Sequence, residues 1–129
     1  MLKFWLFILG SVLLVSFLLI GISNKVSSGV ETAVSSKMQD DGRQLVEILA
    51  KGGYSPNVIS SRAGVETVLR VESRGTFDCS SSLIIPQLRI RKNLPPTGVT
   101  DIVIPAQQAG TQINGTCAMG MYNFVIKYL

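Results

Sequence analysis

The chain has 129 residues, enough for one domain of ordinary size or a smaller domain with an attachment. Its hydrophobic content of 47% and mean hydropathy of +0.38 are high for a soluble domain, yet the apolar residues are unevenly spread. A net charge of +4 names no partner by itself, and the lack of any histidine excludes Ser-His-Asp and Cys-His nucleophiles, so no enzyme is expected.

Residues Phe4 to Ser23, "FWLFILGSVLLVSFLLIGIS", contain neither charge nor proline. As a helix this run spans about 30 Å, the thickness of a bilayer's hydrocarbon core. It exceeds the ~7–15 apolar residues of a secretory signal, so 1–23 reads as an uncleaved transmembrane helix. Gly21 and Ser23 are spaced as a cleavage site requires, which keeps a secreted product open. Lys3 and the terminal amine favour a cytoplasmic N-terminus, with Lys25 and Lys37 as weaker counter-signals on the other flank. A short N-terminal tail and then an apolar run export the remainder of a chain. The expectation is a single-pass protein of the cell membrane with its domain on the extracytoplasmic side.

Residues 24–43, "NKVSSGVETAVSSKMQDDGR", are polar, serine-rich and poor in large apolar side chains. They read as a tether. Met38 lies in it and is expected to be an exposed bystander, and the Asp40–Asp41 pair to be solvated.

Residues 44–129 carry the folded domain, and from Leu45 the pattern is that of strands. In "VETVLRVES", Val65, Thr67, Leu69 and Val71 fall on one face, with Glu66, Arg70 and Glu72 on the other. "TDIVIP" alternates likewise, and in "YNFVIKYL" Tyr122, Phe124, Ile126 and Tyr128 share a face. "KGGYSPN", "RAG", "ESRG", "LPPTG" and "QQAG" supply turns between these runs. No long helical period follows the tether, so the expected fold class is all-β, a Greek-key β-sandwich of about seven or eight strands. "IPQLRIRKNLPPTG" is long for a hairpin and is expected to cross between sheets. Its basic piece, "RIRK", could serve as a nucleic-acid or phospholipid patch, but the expectation is a solvated strand face, with Leu88 and Ile90 inward and Arg89 and Arg91 to water. No aromatic residue is interleaved there to stack on bases, so no nucleic-acid partner is expected.

The two cysteines stand in "GTFDCSSSLIIP" and "NGTCAMGMYNFVIKYL". Cys117 is followed by Met119 and Met121, two of the four methionines. Two chemistries suit these residues. Outside the cytoplasm Cys79 and Cys117 can pair as a disulfide, worth about 4 kcal/mol by chain entropy for such a loop, with the methionines as core fillers. Alternatively, two thiolates and one or two thioethers form a soft donor set that favours Cu(I) over hard cations. Asp78 beside Cys79 is expected to be an exposed loop carboxylate.

The succession "GGYSPNVISSRAGVETVLRVES", "IIPQLRIRKNLPPTGVTDIVIP" and "GTCAMGMYNFVIKYL" resembles a cupredoxin-like domain, in the variety found with bacterial heavy-metal transport and iron-uptake proteins. The resemblance covers Leu45 to Leu129. It implies that Cys79 takes the first ligand position, ordinarily a histidine, and that Cys117 takes that of the cysteine near the last strand. Met119 and Met121 then stand in the ligand loop. The chain departs from the best-known pattern by having no histidine, so a blue electron-transfer site cannot be built. The resemblance therefore implies copper capture, buffering or transfer, with metal ligands Cys79, Cys117, Met119 and Met121 and a membrane transporter or metalloprotein as partner. The other reading stays open: a metal-free, disulfide-closed accessory domain of a membrane complex.

Overall fold

The computed structural model describes residues 3–5, 8 and 34–129. The chain divides into two units, Met1–Val30 and Glu31–Leu129. In the first, residues 3–5 and 8 are helical. The rest of the run expected to span the membrane, and most of the tether, lie outside the described residues. Among the described residues no helix is long and apolar enough to cross a membrane.

The second unit is an all-β sandwich of eleven strands: β1 (Val34–Ser35), β2 (Lys37–Met38), β3 (Gln44–Ala50), β4 (Tyr54–Ser55), β5 (Val58–Ser61), β6 (Thr67–Arg74), β7 (Ser82–Ile85), β8 (Ile90–Asn93), β9 (Thr97–Ile104), β10 (Gln112–Cys117) and β11 (Asn123–Tyr128). One sheet has six strands in the order β1-β5-β11-β10-β7-β8, and the other runs β2-β3-β6-β9 with β4 paired to β3. Strands β3 and β6 are parallel neighbours, as are β5 and β11. Parallel neighbours cannot be joined by a tight hairpin. Here the chain leaves β3, passes through β5 in the opposite sheet, and returns as β6.

Alternation along the strands builds the core. Val46, Ile48 and Ala50 of β3, Leu69 and Val71 of β6, and Ile102 and Ile104 of β9 face Ile59, Leu83, Ile85, Ile113, Phe124, Ile126 and Tyr128 of the other sheet, all of them buried. Each such large side chain contributes about 1.5–3 kcal/mol through the surface it removes from water. The expected partition of β6 and β11 is what the structure has: Glu66 is exposed, and Arg70 and Glu72 are only half-covered.

Two features differ from the sequence expectations. The paired residues begin at Val34, ahead of residue 44, because β1 pairs with β5 and β2 with β3. The turn is "QDDGR": Gln39 N donates to Arg43 O at 2.8 Å, Gly42 takes φ +82°, and Asp41 accepts from Arg43 N at 3.0 Å. Asp-Gly between paired strands is a hairpin signal, which the polar composition around it concealed. Second, "IPQLRIRKNLPPTG" forms a hairpin before it crosses. A 3₁₀ turn at Pro86–Leu88 reverses β7 into β8, with Arg89 left-handed at its end (φ +54°). The crossing itself takes Leu94 to Pro96. Leu88 and Ile90 are half-buried while Arg89 and Arg91 are exposed, as expected, although the 3₁₀ turn and not alternation places Leu88 and Arg89.

Candidate functional site

The C-terminal end of β3 marks one end of the sandwich, and the cysteines gather there. Ala50 O accepts the Thr76 hydroxyl, and Gly52 N donates to the Asp78 carboxylate at 2.8 Å, so the segment before Cys79 is tied to the turn after β3. Asp78 then caps a single 3₁₀ turn, Cys79–Ser81, accepting from Ser80 N at 2.8 Å and from the Ser80 hydroxyl. These donors hold its carboxyl below the usual carboxylate range, the Ser80 side chain first and the amides of Ser80 and Gly52 after it. Asp78 is exposed, as expected, but its oxygens are occupied as a cap and tether. That use removes it from the set of free hard donors.

Cys117 comes from the other direction. It is the last residue of β10, 1% exposed, and is paired in register with Leu83 of β7. The two cysteines, 38 residues apart in sequence, stand with their Cα atoms 5.7 Å apart and their sulfurs joined as a disulfide. That Cα spacing is the common one for such bridges. Sequence reasoning left pairing and ligation open; in this state the cysteines are paired.

Strand alternation would put residues 117, 119 and 121 on one face, but the chain turns first. Gly120 N donates to Cys117 O at 2.9 Å, and Gly120 takes φ +70°, a conformation that costs glycine little. Cys117 N donates to Tyr122 O at 3.0 Å, closing the turn into β11. Met119 and Met121 are thereby swung outward, 77% and 65% exposed. They are surface thioethers beside the cysteine pair and not the core fillers of the disulfide reading. Met121 also lines a shallow polar hollow of about 390 Å³ with Tyr54, Asn57, Tyr122 and Asn123. Phe77, two residues before Cys79, is exposed as well.

Beneath this rim the floor is rigid and apolar. Tyr54 and Phe124 meet edge to face at 5.2 Å, and the Tyr54 hydroxyl donates to Ser80 O at 3.2 Å. Burial, with the Asp78 charge second, pushes the Tyr54 phenol up to about 12, so it stays protonated and donating at neutral pH. Gly115 lies opposite Phe124 in register, and the ring occupies the space a Cβ at 115 would need. Sequence reasoning did not single out Tyr54, Ser80 or Gly115. The available signal for the last was a glycine inside the alternating run "QINGTC", which marks a close approach.

Among the described residues no three histidine, cysteine, aspartate or glutamate side chains cluster as a metal-binding group. The soft donors at this end are two thiols once the disulfide is reduced and two exposed thioethers, a set that matches a soft monovalent ion.

No curated protein matches the chain. Among solved structures, it is similar to the metal binding domain of the Cu(I) exporting P-type ATPase CopA of Streptococcus pneumoniae D39, solved with Cu(I). The TM-score is 0.70 at 19% identity, covering 78% of this chain and 99% of that one. A copper binding protein solved by NMR in the apo form is similar at TM-score 0.68 and 20% identity, over 75% of this chain and 97% of the other. At such identities these likenesses establish the fold. The cupredoxin-like domain profile matches residues 17–126, most of the sequence, and the chain belongs to that family.

Proposed function

We propose that this protein binds Cu(I) as cargo and serves in copper capture, buffering or transfer at the outer face of the cell membrane, held there by residues 4–23. Cys79 and Cys117 are the principal ligands, and Met119 or Met121 completes the site. One observation carries the reading: the fold brings the only two cysteines together at one end, from separate elements, beside two exposed methionines. Their exposure leaves both thioether sulfurs accessible to an ion. Phe77, two residues before Cys79, is exposed as well, which suits docking of a transporter or metalloprotein that takes the ion. The two similar structures, one a domain of a Cu(I) exporter and the other a copper binding protein, support the same chemistry.

The disulfide fixes the order of events. Opening it takes two electrons and two protons, supplied by a dithiol reductant that is itself oxidised to a disulfide. The freed thiols lose their protons as they take up the ion. The same disulfide favours a second reading, a metal-free accessory domain that stays closed. Competition with a Cu(I) chelator separates the two. The reduced full chain should retain one Cu(I) and should not retain Zn(II), to which thioethers contribute little. Cys79→Ser or Cys117→Ser should abolish retention, and Met121→Leu should weaken it without unfolding the domain, because that swap nearly conserves volume. A reduced, folded chain that yields all its copper to the chelator leaves the closed accessory domain.

A further inference from the structure

Charge is divided between the two sheets. In the strands of the five-stranded sheet every cation faces a carboxylate: Lys37 with Glu47, Arg70 with Asp101, and Arg74 with Glu72. Arg43, in the turn leading to β3, pairs with Asp41 and Glu66. The six-stranded sheet has no carboxylate side chain in any of its strands, yet β8 carries Arg91 and Lys92, β11 carries Lys127, and Arg89 sits in the turn before β8. None of these four makes an ion pair among the described residues. From Cys79 to Leu129 the only acidic side chain is Asp101, and Arg70 of the other sheet holds it through bonds of 2.8 and 3.0 Å.

Edge protection accounts for part of this. Lys92 lies opposite buried Leu83 on edge strand β8, where a lysine discourages pairing with another chain. Arg91 stands on the same edge strand, whereas Lys127, on interior strand β11, has no such duty. Arg91 shares the outer face with its partner Ile84, and Lys127 points outward between buried Ile126 and Tyr128. Gln112, Asn114 and Thr116 of β10 fill the space between them with neutral polar groups. The result is an outer face whose charges are of one sign.

We propose that this outer face of the six-stranded sheet rests on an anionic lipid surface. A set of cations without ion-pair partners complements the phosphate head groups, each cation near such a surface strengthening attachment by roughly fivefold. The choice of lipid over an acidic protein rests on the reading of residues 4–23 as an anchor, which keeps the domain within reach of a bilayer. Strand β1, where the chain enters the sandwich, belongs to this same sheet. Docked this way, the domain would hold its cysteine end to the side, beside the membrane and not buried against it.

The test uses the full chain in nanodiscs of phosphatidylcholine, with or without phosphatidylglycerol, and a gadolinium chelate on the lipid head groups. Relaxation of the Asn114 and Lys127 amides should exceed that of Glu47 and Asp101 only when phosphatidylglycerol is present, and high salt should remove the difference. Arg91→Gln combined with Lys127→Gln should lower the docked-to-free ratio roughly 25-fold, with thermal stability unchanged. Equal relaxation of the two sheets, or a difference that persists without anionic lipid, overturns the proposal. Failure of the anchor reading looks different: the chain would elute apart from phosphatidylcholine nanodiscs. In that event, co-sedimentation with phosphatidylglycerol vesicles that the double substitution abolishes supports the face, and its absence overturns it.

Discussion

The two ends of the sandwich are closed by opposite means. At the end away from the cysteines, Gln44 is fully buried and its amide is saturated. Nε2 donates to Arg62 O, Val65 O and Thr67 Oγ1 at 2.8, 3.2 and 3.0 Å, while Oε1 accepts from Ser36 Oγ and Arg62 N at 2.7 and 2.9 Å. Thr67 Oγ1 in turn meets the Tyr128 hydroxyl at 3.0 Å. One side chain thus joins both sheets and the segment before β3. At the cysteine end a disulfide ties the last residue of β10 to the 3₁₀ turn that leads into its neighbour β7, and Phe77, Met119 and Met121 are left exposed. A saturated network is fixed in one arrangement. A disulfide has a second, reduced state, and the exposed Met119 and Met121 beside it have no structural duty. The comparison separates an end built to stay shut from one that can be opened.

The largest effect should come from breaking the shut end. Gln44→Leu keeps the volume but strips partners from several buried groups, each costing about 1–3 kcal/mol when left unmet. A loss of about 3 kcal/mol or more is expected, read as a fall in the midpoint of thermal unfolding, with Cu(I) retention by the surviving folded fraction unchanged. A loss below about 1 kcal/mol would show that the network is decorative and the contrast between the ends false.

Opening the other end should cost as much or less. Reduction of Cys79–Cys117, or Cys79→Ser, should remove about 2–4 kcal/mol, the typical worth of a bridge, with chain entropy for this loop setting the upper end. The sandwich should still fold, because Ile85, Ile126 and the rest of the core are untouched. Thermal melts with and without a dithiol check this. A domain that unfolds on reduction could not receive an ion at these sulfurs, and the accessory-domain reading would gain.

The legibility of this contrast in the sequence depends on the makeup of each end. Strand alternation is local, so the sandwich, its faces and the outward Arg91 could be read directly. The cysteines and methionines could be named as one constellation because sulfur chemistry is scarce. What could not be read is the turn at Gly120 that throws Met119 and Met121 outward, since alternation alone would have kept them facing with Cys117. Nor could the strands at Val34–Met38 be read: their partners lie in β5 and β3, and a serine-rich segment resembles a tether until those partners are known. Gln44 is the strongest omission. Its fully buried amide is recognisable only from the five groups converging on it, which come from Ser36 and from the stretch Arg62–Thr67.

The smallest expected effect probes how firmly the floor of the open end is set. Tyr54 ionises at about 12 in the folded chain against an ordinary 10.0, so folding favours its protonated form. The stability this gives is complete below pH 10.0 and is lost as pH rises toward about 12. Burial is the leading cause and the Asp78 charge the second. Asp78→Asn should therefore lower the Tyr54 midpoint while leaving it above the ordinary value, because burial remains. The substitution also exchanges the carboxylate that accepts from Gly52 N for an amide, which loosens the tie between the turn after β3 and the segment leading to Cys79. Tyrosinate absorbance followed against pH, with Tyr54→Phe to assign the transition, reads both consequences. A midpoint that falls all the way to the ordinary tyrosine value would mean that Tyr54 had become exposed. The Asp78 cap, and not the aromatic floor, would then hold Cys79 in reach of Cys117.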